Sequence, residues 1–170
     1  MMQAKTPEES KTILTDMVLP GETNALNNLF GGELLARMDR AASIAAGRHS
    51  RQITVTASVN HVAFAKAVPL GSVVTVEAKV SRAFRTSMEV CIDVWIEDRK
   101  SGEKTKVNEA IYTFVAVDQD GKPTAVPEVL PKTKLEKQRF AAALRRKQLS
   151  LLLAGKIKPS DATELKALFE

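Results

Sequence analysis

Two polar side chains, Asn24 and Asp39, and the glycine pair Gly31-Gly32 are residue types that can take part in chemistry at a carbonyl group. Asn24 lies in a loop that leads through Gly31-Gly32 into a segment of helical periodicity, and that segment carries Asp39. Glycines at a helix start allow a ligand to approach backbone N–H groups that have no partner in the helix. Together with the helix dipole, such a helix start can form an oxyanion or anion site, and a thioester carbonyl would suit that position.

Asp39 is predicted to lie on the flank of this helix, beside an apolar stripe that includes Leu35 and Ala42. The polar side of the helix is predicted to carry Glu33, Arg37 and Arg40. A carboxylate beside an apolar stripe is costly unless it is hydrogen-bonded or functional. The residues alone leave two interpretations open: a catalytic carboxylate, or an interface aspartate favoured by the helix dipole.

Asn24 also has two interpretations. Its amide N–H can orient a water molecule or a thioester oxygen, and the same residue can equally be an ordinary turn residue. Asn27 and Asn28 carry the same ambiguity, because loops are commonly rich in asparagine.

The cysteine and histidine content predicts no metal site. Cys91 is the only cysteine, and a multi-cysteine or His-rich cluster cannot be built from it with only His49 and His61. No GxSxG motif accompanies either histidine, so both are predicted to be structural. Cys91 is predicted on the polar face of its strand, without a chemical role.

Hydrophobic periodicity predicts the elements that position these residues. A first strand is predicted at residues 8–19, and the helix is predicted to begin at Gly31 and end at Gly47. Alternating apolar residues predict four more strands, at residues 53–59, 74–80, 88–96 and 107–117. A hairpin turn at Ser101-Gly102 makes the last two antiparallel. The result is an α+β layout in which one helix covers the apolar face of a long antiparallel meander.

Charge and composition separate the two ends of the chain. A proline-rich linker at 123–131 divides a domain at residues 1–130 from a C-terminal helical extension at 131–170, with a last short helix near Pro159. The extension carries ten basic residues against four acidic ones, whereas residues 1–130 carry 15 against 16. Its charges alternate with Leu and Ala, which favours a packing helix over nucleic-acid binding, and we expect no nucleic-acid partner.

Hydropathy gives an expectation about location. No run of eighteen or more apolar residues is present, and the N-terminal residues are polar rather than those of a secretion signal. We therefore expect a cytoplasmic protein that does not insert into a membrane.

An ordered set of motifs over residues 10–130 supports a family resemblance. The string N-x-x-x-N-x-F-G-G-x-L-L-x-x-M-D-x-A runs from Asn24 to Ala41. Further matching segments are Arg48-His49, Thr54 to Phe64, Pro69 to Gly71, Thr86 to Val90, Thr113 to Asp118 and Gly121 to Pro123. Together they resemble the hotdog acyl-CoA thioesterases of the cytosolic acyl-CoA hydrolase type. The loop Ala83-Phe84-Arg85 departs from the Gly-Arg pair that related chains often show.

The resemblance implies a hotdog fold, in which an antiparallel sheet wraps around one central helix, and hydrolysis of acyl-CoA without a cofactor, coenzyme A being part of the substrate. It implies a catalytic pair from different subunits, matched by Asn24 and Asp39, with Asp39 as general base or, alternatively, as nucleophile. Gly32 completes the predicted catalytic set, with its N–H stabilising the developing oxyanion. The predicted substrate-contacting residues are Asn28, Phe30, Gly31, Lys66, Arg82, Arg85 and Ser87.

The resemblance also implies a homo-oligomer built from two-fold dimers, with a hexamer as a trimer of dimers. A different class stays open, namely a non-catalytic hotdog protein that binds acyl-CoA as a regulator. Asn24 and Asp39 count against that class, because a binder needs neither. The preferred acyl-chain length is not predicted.

Overall fold

One long helix and five strands form the first of two units, Met1–Leu130, and further helices form the second, Pro131–Glu170. The structure is a computed structural model, and it describes residues 2–60 and 62–170. The elements are α1 (Pro7–Ser10), β1 (Thr12–Met17), α2 (Gly31–Ser50), β2 (Ile53–Asn60), β3 (Val73–Ala83), β4 (Ser87–Glu97), β5 (Lys104–Val117), α3 (Lys134–Leu153) and α4 (Thr163–Lys166). Short 3-10 turns lie at Pro20–Glu22 and Pro159–Asp161.

The strands pair antiparallel in the order β1-β3-β4-β5-β2. The predicted meander is correct for β3, β4 and β5, where short turns join neighbours. It is wrong for β2, which pairs with β5 at the far edge instead of with β3. A crossover after β2 separates it from β3, and alternation along a strand contains no information about such a choice of partner.

Helix α2 packs its apolar stripe against the concave face of the sheet. Met38, Ala41 and Ala45 are fully buried, and the small alanine side chains let the helix approach the strands closely. The phenol of Tyr112 on β5 donates a hydrogen bond to the Leu35 carbonyl of α2, at 3.0 Å. The expected α+β hotdog layout, one helix covered by an antiparallel sheet, is confirmed.

The predicted end of α2 and the predicted start of β1 are both wrong. The α2 helix continues through Gly47 to Ser50, because Arg51 adopts the left-handed conformation (φ 56°) and its N–H donates to the Gly47 carbonyl. The predicted strand at residues 8–19 begins only at Thr12, since α1 occupies Pro7–Ser10. That helical turn is favoured by proline at its first position and by the Glu9 carboxylate, which accepts the Thr6 N–H at 2.6 Å.

Cys91 lies on β4, on the same face of the strand as Glu89 and Asp93, as predicted. All three residues are buried, so this face is not a solvated one. The Cys91 sulfur lies 4.0 Å from the Glu89 carboxylate.

The second unit is helical, as predicted. Helix α3 begins with reciprocal hydrogen bonds in which the Thr133 hydroxyl accepts the Glu136 N–H and the Glu136 carboxylate accepts the Thr133 N–H. The side-chain carbonyl of Gln148 accepts the Leu165 N–H at 2.9 Å, which ties α4 back to α3. Across residues 2–60 and 62–170, none of the helices has the length and apolar content needed to span a bilayer.

Candidate active site

The loop between β1 and α2 fixes Asn24 by short-range hydrogen bonds. The Asn24 side-chain oxygen accepts the Leu26 N–H at 2.9 Å and the Asn28 N–H at 3.2 Å, and the Asn24 N–H donates to the Asn28 carbonyl at 2.8 Å. Asn27 adopts a left-handed conformation (φ 56°), which asparagine tolerates better than most residues. Since the oxygen is held by the loop, the Nδ2 amino group is the donor that Asn24 presents to a ligand.

A cavity of about 310 Å³ lies beside this loop. Its walls are Asn24, Asn28, Leu29, Gly31, Leu34, Phe64, Lys66, Ala67 and Val68. A Cβ atom at position 31 would lie 3.2 Å from the ring of Phe64, a tight contact that a small shift of the ring would relieve. The cavity therefore combines two amides and one lysine with apolar walls.

Asp39 is half-buried on the flank of α2 and is bound by a residue of another element. Its Oδ1 accepts a hydrogen bond from the Thr56 hydroxyl of β2 at 2.7 Å. Thr56 pairs with Phe114 of β5, so its side chain is on the face of the sheet that packs against α2. Among the described residues, Asp39 is not part of the lining of the cavity beside Asn24.

Tyr112 holds the helical turn that carries Asp39. The Leu35 carbonyl, which accepts the Tyr112 hydroxyl, lies four residues before Asp39 and is the regular helix acceptor for the Asp39 N–H. Burial raises the pKa of Tyr112 to about 12, and the negative charge of Asp39 contributes to the increase. The phenol therefore stays neutral and remains a donor at physiological pH.

The environment of the Arg37 side chain differs from the prediction. Arg37 was expected on the solvated side of α2, but its side chain is only 5% exposed and forms a salt bridge with Glu22, at 2.8 Å between Nη2 and Oε2. The same Nη2 donates to the Met17 carbonyl at 3.1 Å. The pKa of the Glu22 carboxyl is lowered, first by the Leu19 N–H that it accepts and then by Arg37.

Three of the predicted substrate contacts line the cavity, namely Asn28, Gly31 and Lys66. Gly32 follows in the first turn of α2, where backbone N–H groups have no helix partner. Phe30 is the residue before the helix, and its ring is half exposed.

Three other predicted contacts lie at the far end of β3. Arg82, whose guanidinium is 5.7 Å from the Phe84 ring, is followed by Arg85 and the buried Ser87 around the β3–β4 turn. Strand β3 begins five residues after the cavity residue Val68, and its eleven residues span roughly 35 Å. The structure of one protomer therefore does not bring these three residues to the cavity.

Sequence reasoning missed Thr56, since one hydroxyl in a strand with several gives no distinguishing signal. His49 is buried, and its Nε2 lies 2.7 Å from the Pro127 carbonyl, which matches the structural role predicted for it. Burial lowers the pKa of His49. His61 lies outside the described residues. Within residues 2–60 and 62–170, no three His, Cys, Asp or Glu side chains converge into a group able to hold a metal ion.

Strand β2, which carries Thr56, has an open and apolar edge. It pairs with β5 on one side, and Ile53, Val55 and Val59 are 61%, 48% and 45% exposed. A long strand edge with exposed apolar side chains is a surface that proteins normally cover by pairing.

This combination of a five-stranded antiparallel sheet, one enclosed helix and an asparagine loop before that helix defines a protein of the thioesterase superfamily. Residues 26–103 match the family model described as Thioesterase superfamily. Within that superfamily, the chain belongs to the acyl-CoA thioester hydrolases. It is 41% identical over 147 residues to the uncharacterized acyl-CoA thioester hydrolase YkhA of Bacillus subtilis, covering 84% of this chain and 86% of that protein.

Solved structures agree with this assignment. An apo-hexameric acyl-CoA thioesterase is 39% identical with a TM-score of 0.86, covering 90% of this chain and 98% of that chain. The Staphylococcus aureus acyl-CoA hydrolase in complex with butyryl coenzyme A, coenzyme A and coenzyme A disulfide is 34% identical with a TM-score of 0.83, covering 96% and 99%. Structures of that enzyme with single Asn, Asp and Thr to Ala substitutions are also similar, and the three substituted positions are spaced by 15 and 17 residues.

Proposed function

We propose that this acyl-CoA thioester hydrolase releases fatty acid and free coenzyme A in sites that two protomers share, with Asp39 from one protomer and Asn24 from the other. One observation carries the proposal. Asp39 and Thr56 form a pair next to the open edge of β2, whereas the cavity beside Asn24 does not include Asp39 in the same protomer. A second copy that pairs along β2 supplies the missing half.

The spacing of three residues supports these assignments. Asn24, Asp39 and Thr56 are separated by 15 and 17 positions, the spacings of the Asn, Asp and Thr residues substituted in the Staphylococcus aureus enzyme. Thr56 therefore joins the pair predicted from the sequence. Its hydroxyl holds one oxygen of Asp39 and leaves the other oxygen for a water molecule.

Asp39 acts as the general base in this proposal. Its Oδ2 takes a proton from water as the water oxygen bonds to the thioester carbonyl carbon, and the carbonyl becomes an oxyanion. The Gly32 N–H at the positive end of α2 stabilises that oxyanion, and the Asn24 amide orients the water or the thioester oxygen. The carbon–sulfur bond then breaks, and the proton held by Asp39 passes to the coenzyme A thiolate. Neither a metal nor a cofactor has a role in these steps.

Substrate binding follows from charge and position. Lys66, Asn28 and Gly31 lie at the cavity, where a lysine suits a phosphate of coenzyme A. Phe30, between the lining residues Leu29 and Gly31, is half exposed. Arg82, Arg85 and Ser87 are contacts that the partner protomer contributes, since the far end of β3 is distant from the cavity of its own chain.

The assembly is a two-fold dimer along β2, and the hexamer of the relative supports further association as a trimer of dimers. Pairing buries the exposed apolar residues Ile53, Val55 and Val59 and removes the open strand edge. The regulator alternative is not favoured, because it assigns no role to Asp39 and because the relatives are named hydrolases.

The activity is tested by incubating the purified protein with acyl-CoA of increasing chain length and detecting free thiol. We expect release of coenzyme A at a rate that EDTA leaves unchanged. Loss of the activity on chelation contradicts the metal-free mechanism, and binding without thiol release supports the regulator.

Oxygen-18-labelled water separates the two roles open to Asp39. In a single turnover, a general base directs labelled oxygen into the fatty acid. A nucleophilic Asp39 forms an anhydride, and water that attacks its aspartyl carbonyl leaves the label in the protein. Labelled Asp39, found by mass spectrometry after one turnover, would overturn the general-base assignment.

A further inference from the structure

Arg37 connects the loop that carries Asn24 to the helix that carries Gly32. We propose that Arg37 is a positioning residue for this half of the active site and acts through Glu22. The inference rests on the proposed function, since it assigns a role within the shared site. It concerns a residue that makes no contact with the cavity itself.

The contact between Arg37 and Glu22 is close and shielded. Nη2 of Arg37 lies 2.8 and 2.9 Å from the two carboxylate oxygens of Glu22. The Arg37 side chain is 5% exposed and that of Glu22 is 26% exposed. A shielded pair holds its geometry better than a surface pair, which solvent and salt weaken.

Glu22 in turn closes the loop at both of its ends. Its carboxylate accepts the Leu19 N–H at 2.8 Å, and its backbone carbonyl accepts the Phe30 N–H at 2.9 Å. Leu19 precedes the loop, and Phe30 is the residue from which α2 begins. Asn24, two residues after Glu22, is therefore held at a fixed distance from the first turn of the helix.

Stability alone does not account for this arginine. Its Nε and Nη1 are buried and have no hydrogen-bond partner among the described residues. Burying a guanidinium costs free energy that one ion pair often fails to recover, so apolar residues of similar volume are commonly as stable at such positions. The gain from Arg37 is a defined geometry between the Asn24 amide and the Gly32 N–H, the two groups that meet the oxyanion and water.

Substitution of Arg37 should affect turnover more than binding. A displacement of about 1 Å in a catalytic group can cost on the order of 100-fold in rate. For Arg37→Met we expect kcat to fall roughly tenfold with KM changed less than about twofold, because the cavity walls Leu34 and Val68 are retained. Arg37→Lys, which keeps one cation for Glu22, should recover part of the loss. Arg40→Met is the matched control, since Arg40 is exposed on the same helix.

Mixed oligomers test whether the effect lies in the Asn24 half. Equal amounts of two variants are unfolded and refolded together, with exchange of subunits proven by different tags. Arg37→Met mixed with Asp39→Asn should rise to about a quarter of wild-type activity, since half of the dimers then contain one site with intact Arg37, Asn24 and Asp39. Arg37→Met mixed with Asn24→Ala should show no gain, because the Asn24 half of every site then carries one of the two substitutions.

A loss of kcat with equal gains in both mixtures, or with none in either, overturns the positioning role. So does unchanged kcat in Arg37→Met. The mixture of Asn24→Ala with Asp39→Asn is the reference. If this mixture does not regain activity, the shared site is wrong. If it regains activity and the mixture of Arg37→Met with Asp39→Asn does not, the inference about Arg37 is wrong. Should Arg37→Met not fold, Arg37→Lys and Glu22→Gln undergo the same comparison.

Discussion

The two halves of the proposed site are built in different ways. Asn24 is fixed by hydrogen bonds within residues 24–28, all in one loop. Asp39 is fixed by Thr56, which lies seventeen residues away on a strand at the edge of the sheet. The cavity beside Asn24 takes its walls from this loop, the start of α2 and residues 64–68 of the same protomer. The Asp39 half depends on the order of the strands, and in the proposed site it is completed by another protomer that covers that edge.

Loss of either catalytic side chain should produce the largest effect. We expect Asn24→Ala and Asp39→Asn each to lower kcat by roughly 1000-fold, because one lacks the amide that orients the reactants and the other lacks the base. Steady-state thiol release measures the change. Asp16→Asn, an exposed aspartate of β1, is the control. Wild-type turnover in Asp39→Asn would contradict the assignment of the base.

Disruption of the β2 edge should separate the two halves without changing either one. Val55→Lys places a charge on the exposed apolar surface of β2, and we expect dissociation of the oligomer and a fall in activity of roughly 100-fold. Light scattering after size exclusion measures the assembly. Ile13→Lys, at an exposed apolar residue of the opposite edge strand β1, should retain both assembly and activity. A fully active Val55→Lys monomer is incompatible with a shared site.

A smaller effect is expected when only the orientation of Asp39 is lost. Thr56→Val removes a 2.7 Å hydrogen bond to a carboxylate, and kcat should fall roughly tenfold, since such bonds contribute on the order of 1.5–3 kcal/mol. Thr56→Ser should stay near wild type because it keeps the hydroxyl. Thr54→Val, two positions earlier on the same strand, is the control, and an equal loss there would assign the effect to β2 rather than to Asp39.

The smallest effect concerns pH and lies away from both halves. The folded-state pKa of buried His49 is below 6.5, so the unfolded state takes up a proton first as the pH falls, and stability is lost on acidification below about pH 6.5. His49→Gln can keep an N–H donor for the Pro127 carbonyl and does not titrate. Between about pH 7.5 and about pH 5.5, the Tm of wild type should therefore fall more than that of His49→Gln. Parallel curves would remove His49 as the cause.

The same contrast explains how much of the molecule is predictable from the sequence. The start of α2 and the asparagine loop before it follow from local patterns, because glycine, asparagine and helical periodicity act over a few residues. The strands of the β3–β5 meander follow from alternation and short turns. The end of α2 does not, since Arg51 supplies the left-handed conformation that glycine was expected to provide.

Contacts between residues that are far apart in the chain do not follow from these sequence patterns. The pairing of β2 with β5 decides where Thr56 lies, and alternation gives no partner for a strand. The burial of Arg37 depends on Glu22, fifteen residues earlier, and a charged residue on a helix is expected to be solvated unless that partner is known. The sequence therefore indicates neither the contact of Thr56 with Asp39 nor the burial of Arg37.

A titration of mixed protomers tests the shared site most directly. Asn24→Ala and Asp39→Asn proteins are refolded together at different ratios, with subunit exchange verified, and thiol release is measured. A site is intact only where its Asn24 comes from one variant and its Asp39 from the other, so the fraction of active sites is the product of the two variant fractions. The account predicts a parabola that peaks at about a quarter of wild-type activity in the equal mixture. Activity that stays at the level of the separate variants at every ratio would contradict it.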